Sequence, residues 1–139
     1  MANTLSNEFR KYFHRLTATN PICRAYGRTL VSGTNLFVII EPSTATKCIT
    51  VIPYGGGSPT PEGDRQESAV QIRLKIKDRQ KGIRAMQEII NRLHGNTDVC
   101  ASAKGRVYAV QSSPIPLEIY EGGEYIAYVS NFIVKHTKL

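Results

Sequence analysis

No run of apolar residues in this 139-residue chain approaches the roughly 18 needed to cross a bilayer. No contact with membrane is therefore expected. Met1 to Phe9 lacks a long apolar core and a cleavage-like site, so it does not read as a signal peptide. Cysteine is scarce. Cys23, Cys48 and Cys100 lie far apart and form no CxxC pair. An odd number at such spacing argues against a disulfide framework and against a zinc site. Buried free thiols in a reducing compartment are the expectation. Internal repeats and low-complexity tails are also missing.

Catalytic spacing is lacking too. His14, His94 and His136 have no carboxylate, Cys or Ser at a recognisable catalytic distance along the chain. The run Tyr54-Gly55-Gly56-Gly57-Ser58 is glycine-rich, as phosphate-binding loops are. No GK[ST] follows it, no GxGxxG is formed, and Pro59 and Pro61 interrupt any following helix. Glu62, Asp64 and Glu67 form one acidic group, and Glu118, Glu121 and Glu124 another. Neither has metal-loop spacing, so solvated turns are the better reading. No enzyme, no cofactor and no metal is expected.

What is present is an ordinary globular composition, 41% hydrophobic and 21% charged, with a net charge of +7. The length suits one domain over residues 1–139 with a sizeable core. The basic balance favours acidic protein surfaces or polyanions as neighbours.

The clearest pattern runs from Ser68 to Gly95. Val70, Ile72, Leu74 and Ile76 alternate with Gln71, Arg73, Lys75 and Lys77. That is a strand with one buried and one wet face. The period then becomes helical, with Ile83, Met86, Ile90 and Leu93 on one side. Asp78 stands at the N-cap and Gly95 at the C-terminal stop. A first helix is expected over 4–17, with Leu5, Phe9, Phe13 and Leu16 on one side. Residues 22–33 are ambiguous. Leu36 to Ile40 reads as a well-buried strand, 42–46 as a turn, and Cys48 to Ile52 as the hairpin partner of that strand. Pro53 to Gln66 reads as a long Pro/Gly loop, which in a compact domain is functional or disordered. Arg106 to Gln111 is a strand, and Glu121-Gly122-Gly123 joins two β-rich runs in a hairpin.

The expected fold is α+β, in the order α-β-β-β-α-β-β-β. One mainly antiparallel, twisted sheet carries both helices on one face. Its core is Ile72, Leu74, Ile83, Met86, Ile90 and Leu93 against Phe9, Phe13 and Leu16.

Arg73, Lys75 and Lys77, continued by Arg79 and Lys81, make a basic stripe. It lacks the interleaved aromatics of a base-stacking platform. A solvated face or a protein interface is therefore favoured over base recognition. The candidate interface is Arg73, Lys75 and Lys77 together with Tyr54, Gly56, Pro59, Glu62 and Asp64 of the loop.

Taken together, several pieces resemble one family. They are Thr50-Val51-Ile52-Pro53-Tyr54-Gly55-Gly56, a loop containing Pro59, and Val70-Gln71-Ile72-Arg73-Leu74-Lys75 running into Asp78. Ile89 to Gly95, Gln111 to Leu117, and Asn131-Phe132-Ile133-Val134 complete the set. In order and spacing they resemble the minor capsid or tail terminator proteins of bacteriophages with long non-contractile tails, from about Pro21 to Lys135. The resemblance implies a mixed sheet flanked by helices and a virion protein of the tail or neck, assembled in the host cytoplasm. It implies a homo-oligomeric ring of six on the tail tube, which halts tube polymerisation and meets the head-completion or connector protein. DNA would pass through the ring without sequence-specific binding. The family offers no catalytic residues. Rival readings are another neck or head-completion protein, and a basic nucleic-acid-binding α+β module.

Overall fold

The computed structural model describes residues 4–40, 47–56, 65–119 and 125–137. Helix α1 (Thr4–Arg15) buries Leu5, Phe9 and Phe13 at helical spacing. A second, short helix α2 (Pro21–Tyr26) occupies part of the ambiguous segment. Its boundaries follow ordinary end signals. The Asn20 side chain accepts a hydrogen bond from the Ile22 N–H at 3.0 Å, and Pro21 fills the first turn. Gly27 ends the helix at φ +104°, a conformation glycine adopts without strain. Helix α3 (Arg79–Leu93) starts as expected, with the Asp78 carboxylate accepting from the Lys81 N–H at 3.1 Å. On its surface the Arg92 guanidinium lies 3.9 Å from Glu88.

The strands are β1 (Leu36–Val38), β2 (Cys48–Gly56), β3 (Arg65–Ile76), β4 (Arg106–Ala109), β5 (Ile115–Ile119) and β6 (Tyr125–Thr137). They form one sheet in the order β1-β2-β3-β6-β4, with β5 also paired to β6. Every pairing is antiparallel except β1 with β2. The element order is thus α-α-β-β-β-α-β-β-β, one helix richer than expected.

Three readings are corrected. The segments 36–38 and 48–56 are parallel neighbours, not a hairpin. The first of them is short: Ile39 turns out at φ +72° and Ile40 is 74% exposed. The supposed loop 53–66 is strand over 53–56 and 65–66, with Pro53 paired to Val70 and an irregularity before Gly56. β1 reaches only as far as Val51, so Pro53 lies where β2 has no second neighbour among the described residues and a missing N–H is tolerated. The turn at 42–46, loop residues 57–64 and the turn at 121–123 lie outside the described residues.

All three helices pack on one face of the sheet. Phe9, Phe13, Ile22, Tyr26, Met86, Ile89 and Leu93 share one core with Ile49, Val51, Val70, Ile72, Leu74, Tyr128, Phe132 and Val134. The alternation read from Val70 to Ile76 holds, since all four apolar side chains are buried. Ile83 does not join them and is 50% exposed. The buried stripe of α3 is Gly82, Ala85, Met86, Ile89, Ile90 and Leu93. Small residues make the closest approach to the sheet, so a reading that follows bulky side chains alone is rotated about the helix axis.

A candidate assembly surface

The cations of β3 sit on the sheet face away from the helices. Across the strands, Arg73 lies between Thr50 and Val129, and Lys75 between Cys48 and Ala127. Each pair of neighbours is short or apolar, and all four are buried. Lys75 itself is only 6% exposed, Arg73 is half-buried and Lys77 is exposed. All three are engaged within the chain. The expected wet stripe is thus corrected at Lys75. A long cationic side chain over small neighbours buries its aliphatic stem and keeps only its head near water. Gly56 ends β2, Tyr54 lies within it, and Pro59, Glu62 and Asp64 lie outside the described residues.

Exposed cations gather instead where β3 turns into α3. Lys77, Arg79 and Lys81 surround the Asp78 cap, whose carboxylate is committed to the helix end. Lys47 stacks on the Tyr26 ring, its ammonium 4.5 Å from the ring centroid. Partial burial, then the like charges of Lys81 and Arg28, pull the Lys47 ammonium below its ordinary pKa. This end of the sheet is therefore cationic.

A groove runs from this corner along α3. One part, about 550 Å³, has Ile83, Pro114, Ile126 and Tyr128 as its apolar lining and Arg79 at its rim. The other, about 340 Å³, lies between Ile90 and His94 of α3 and the segment Ala109–Ser112, where Val110 is 53% exposed. Between the two, the Gln87 amide donates to the Ser112 carbonyl at 3.1 Å and holds the segment against the helix.

The neighbouring sheet edge is sealed. Gly95, at φ +80°, turns the chain so that its N–H reaches the Val107 carbonyl at 2.7 Å. The Val107 N–H in turn donates to the Asn96 carbonyl at 3.0 Å, and the Ala109 N–H to His94 Nδ1 at 3.1 Å. β4 therefore has few free backbone groups to offer another chain.

The remaining reactive side chains are occupied structurally. His14 Nδ1 accepts from the Ser32 N–H at 3.2 Å. His136 is fully buried, with Nδ1 at 2.6 Å from the Thr137 carbonyl and Nε2 at 2.8 Å from the Ser68 hydroxyl. A carbonyl only accepts, so Nδ1 donates to it, and in the neutral ring Nε2 accepts from the Ser68 hydroxyl. That is a Ser–His hydrogen bond without a carboxylate behind it, and it serves to tie β3 to β6. No group of three or more His, Cys, Asp or Glu able to hold a metal occurs among the described residues. No helix among them is long and apolar enough to cross a membrane.

All three cysteines are free and buried. Burial pushes the Cys100 thiol up to about 12 and raises that of Cys23. In unfolded chain Cys100 ionises near its ordinary value of 9.0. Between that value and about 12 the unfolded state loses a proton that the folded state keeps, so stability falls as pH rises through this window. Urea unfolding midpoints are expected to drop from pH 8 to pH 11. Cys100→Ala should flatten that drop, and an unchanged slope in the variant would remove Cys100 as its source.

The comparison with known proteins decides the family. The sequence profile of the bacteriophage tail terminator proteins matches residues 24–137. The chain belongs to the bacteriophage tail terminator family. Tail terminators are structural components of the virion tail and not enzymes. Among solved structures, a chain from "Virion of native gene transfer agent (GTA) particle" shares the fold, with a TM-score of 0.69. The similarity covers 96% of this chain and 94% of that one at 9% sequence identity. None of the curated proteins matches.

For a tail terminator, surfaces matter more than reactive groups. The residues singled out from sequence place Arg73 and Lys77 at the surface, but on different footings. The groove residues Ile83 and Val110 were not legible as surface. Only the small residues Gly82 and Ala85, which mark the buried side of α3, give a sequence signal for the first.

Proposed function

We propose that this tail terminator works as one domain over residues 1–139 that closes into a homo-oligomeric ring of six on the end of the tail tube. The ring stops tube polymerisation by geometry. One of its faces repeats the docking surface of a tube ring, and the other does not. The second face meets the head-side connector or head-completion protein. DNA crosses the central channel without sequence-specific contact. The observation that carries this reading is the family match over residues 24–137. The organisation of the surface supports it. The β4 edge is sealed, an apolar groove stays open along α3, and a cationic corner adjoins it. Arg73 and Lys77 belong to the surface offered to neighbours, with Tyr54, Gly56, Pro59, Glu62 and Asp64 of the β2–β3 hairpin. Closed rings require such a heterologous interface, in which two different patches meet.

The test is the mass of the assembled species. Native mass spectrometry of the purified protein, alone and released from tail tubes, is expected to show six copies. Monomer in both settings would overturn the ring. Negative-stain images of tubes mixed with the protein should place the added density at one end only. Density along the tube wall would refute capping.

A further inference from the structure

We infer that the groove along α3 receives a second copy of this chain, which enters with the loop end of its β2–β3 hairpin. This rests on the ring reading and assigns the two patches that make its interface.

The first observation is the groove itself. Ile83 is a large apolar side chain left 50% exposed beside the buried stripe of α3, and Val110 is 53% exposed in the adjoining hollow farther along the helix. Exposed apolar groups that line adjoining hollows mark a contact surface rather than scattered solvent-facing residues. The second observation is charge. Arg79 at the rim is exposed and has no ion pair among the described residues, and none of the described acids lines either part of the groove. The occupant should therefore bring carboxylates together with apolar groups of modest size. The sequence between β2 and β3, Gly57-Ser58-Pro59-Thr60-Pro61-Glu62-Gly63-Asp64, has that composition.

The third observation is topology, and it rules out the chain's own loop. β3 starts at Arg65, beside that loop, and ends at Ile76, which pairs with the groove residue Ile126. The two ends are separated by about 36 Å of strand. Eight residues anchored at both ends reach out by at most about 14 Å, since half the length must return. A loop from the same copy therefore cannot reach the Ile126 end of the groove. A second copy can. Because donor and acceptor patches lie at opposite ends of one strand, the contact is head-to-tail, which is the geometry that generates rings.

The experiment uses the full chain. The native cysteines are buried, so introduced ones can be read separately. Ile83→Cys and Glu62→Cys proteins are prepared singly, mixed, and treated with a short bismaleimide, free and on tail tubes. Cross-linked dimers are expected from the mixture and not from either protein alone. The double variant should give a covalent ladder that ends at the ring number. Independently, Arg79→Glu should weaken self-assembly at least tenfold, and adding Glu62→Arg with Asp64→Arg should restore it. Arg79 is exposed, and circular dichroism of each variant would show a folded chain.

Rings that assemble normally, give no such cross-link and ignore Arg79→Glu would overturn the groove assignment while leaving the ring intact. Intact rings that lose only tail attachment in Arg79→Glu would overturn it too, because the occupant is then a tail protein. If no assembly forms, free or on tubes, the ring reading fails and the groove assignment with it.

Discussion

Leu74→Ala is expected to lower the unfolding free energy by about 2–5 kcal/mol, the range for truncating a buried aliphatic side chain. Leu74 is fully buried on β3, where it pairs with Ile49 on one side and Tyr128 on the other. β3 lies in the middle of the sheet, beneath the helices, so its neighbours cannot collapse freely into the space left behind. Part of the cost is lost apolar burial and part is the cavity. Ile83→Ala provides the contrast. That side chain is half exposed, and its removal should change stability by less than about 1 kcal/mol. Urea unfolding of both variants checks the pair. A Leu74→Ala loss below about 1 kcal/mol would mean that the buried face of β3 is wrongly assigned. A larger loss for Ile83→Ala would mean the same for α3.

Gly82→Val is expected to prevent stable folding, and Gly82→Ala to cost about 1–3 kcal/mol as overpacking does. A Cβ at position 82 would stand 2.6 Å from Tyr128 Cε2 and 2.7 Å from Ile76 Cγ2. Both neighbours are nearly fully buried, and although Tyr128 also borders the groove, its ring packs within the core cluster. In an exposed helix, glycine to alanine would gain about 1 kcal/mol through propensity. Here the steric cost reverses that sign. The helix can relieve the clash only by lifting from the sheet, and this would also displace Ile83 and Arg79 in the groove. Thermal unfolding of Gly82→Ala measures the effect. A variant as stable as the parent would show that the Tyr128 ring yields and that α3 is not held tightly against the sheet at this point.

Much of this fold is written in local pattern. The alternation from Val70 to Ile76 gives the central strand because an antiparallel sheet covered on one face demands period two. Asp78 starts α3 because its carboxylate meets a helix N–H, and Gly95 follows its end because the turn there needs φ +80°. The extra helix α2 was equally legible. Asn20-Pro21 is a start signal and Gly27 a stop, at the spacing of one short helix. Other features are not local. Leu36 to Val38 pairs in parallel with Ile49 to Val51, and sequence adjacency suggests a hairpin. Which neighbour a short apolar strand selects depends on the rest of the sheet. The extension of β2 past Pro53 is of the same kind, since proline is excluded from a strand only where its N–H is needed.

The cationic character of the candidate surface is legible in the sequence, and its division between strand and helix is not. The sequence marks a cationic region, and the structure divides it. Lys75 is drawn into the sheet by small cross-strand neighbours, whereas Lys77 and Arg79 stay exposed beside the groove. Cross-strand neighbours are set by register over long sequence separations, such as Lys75 with Ala127. No reading of one strand in isolation supplies them. The groove likewise depends on a loop, Ala109 to Pro114, being held against a helix that ends well before it in the chain.

The proposed role of this tail terminator is to limit tail growth by capping the tube. The most direct measurement is the length distribution of tail tubes assembled from purified tube protein on preformed initiators, with and without this protein. With it added, tubes are expected to stop growing and to stay at constant length after fresh tube protein is supplied. Without it, the same addition should lengthen them. Tubes that continue to elongate at the same rate in the presence of saturating protein would contradict the account.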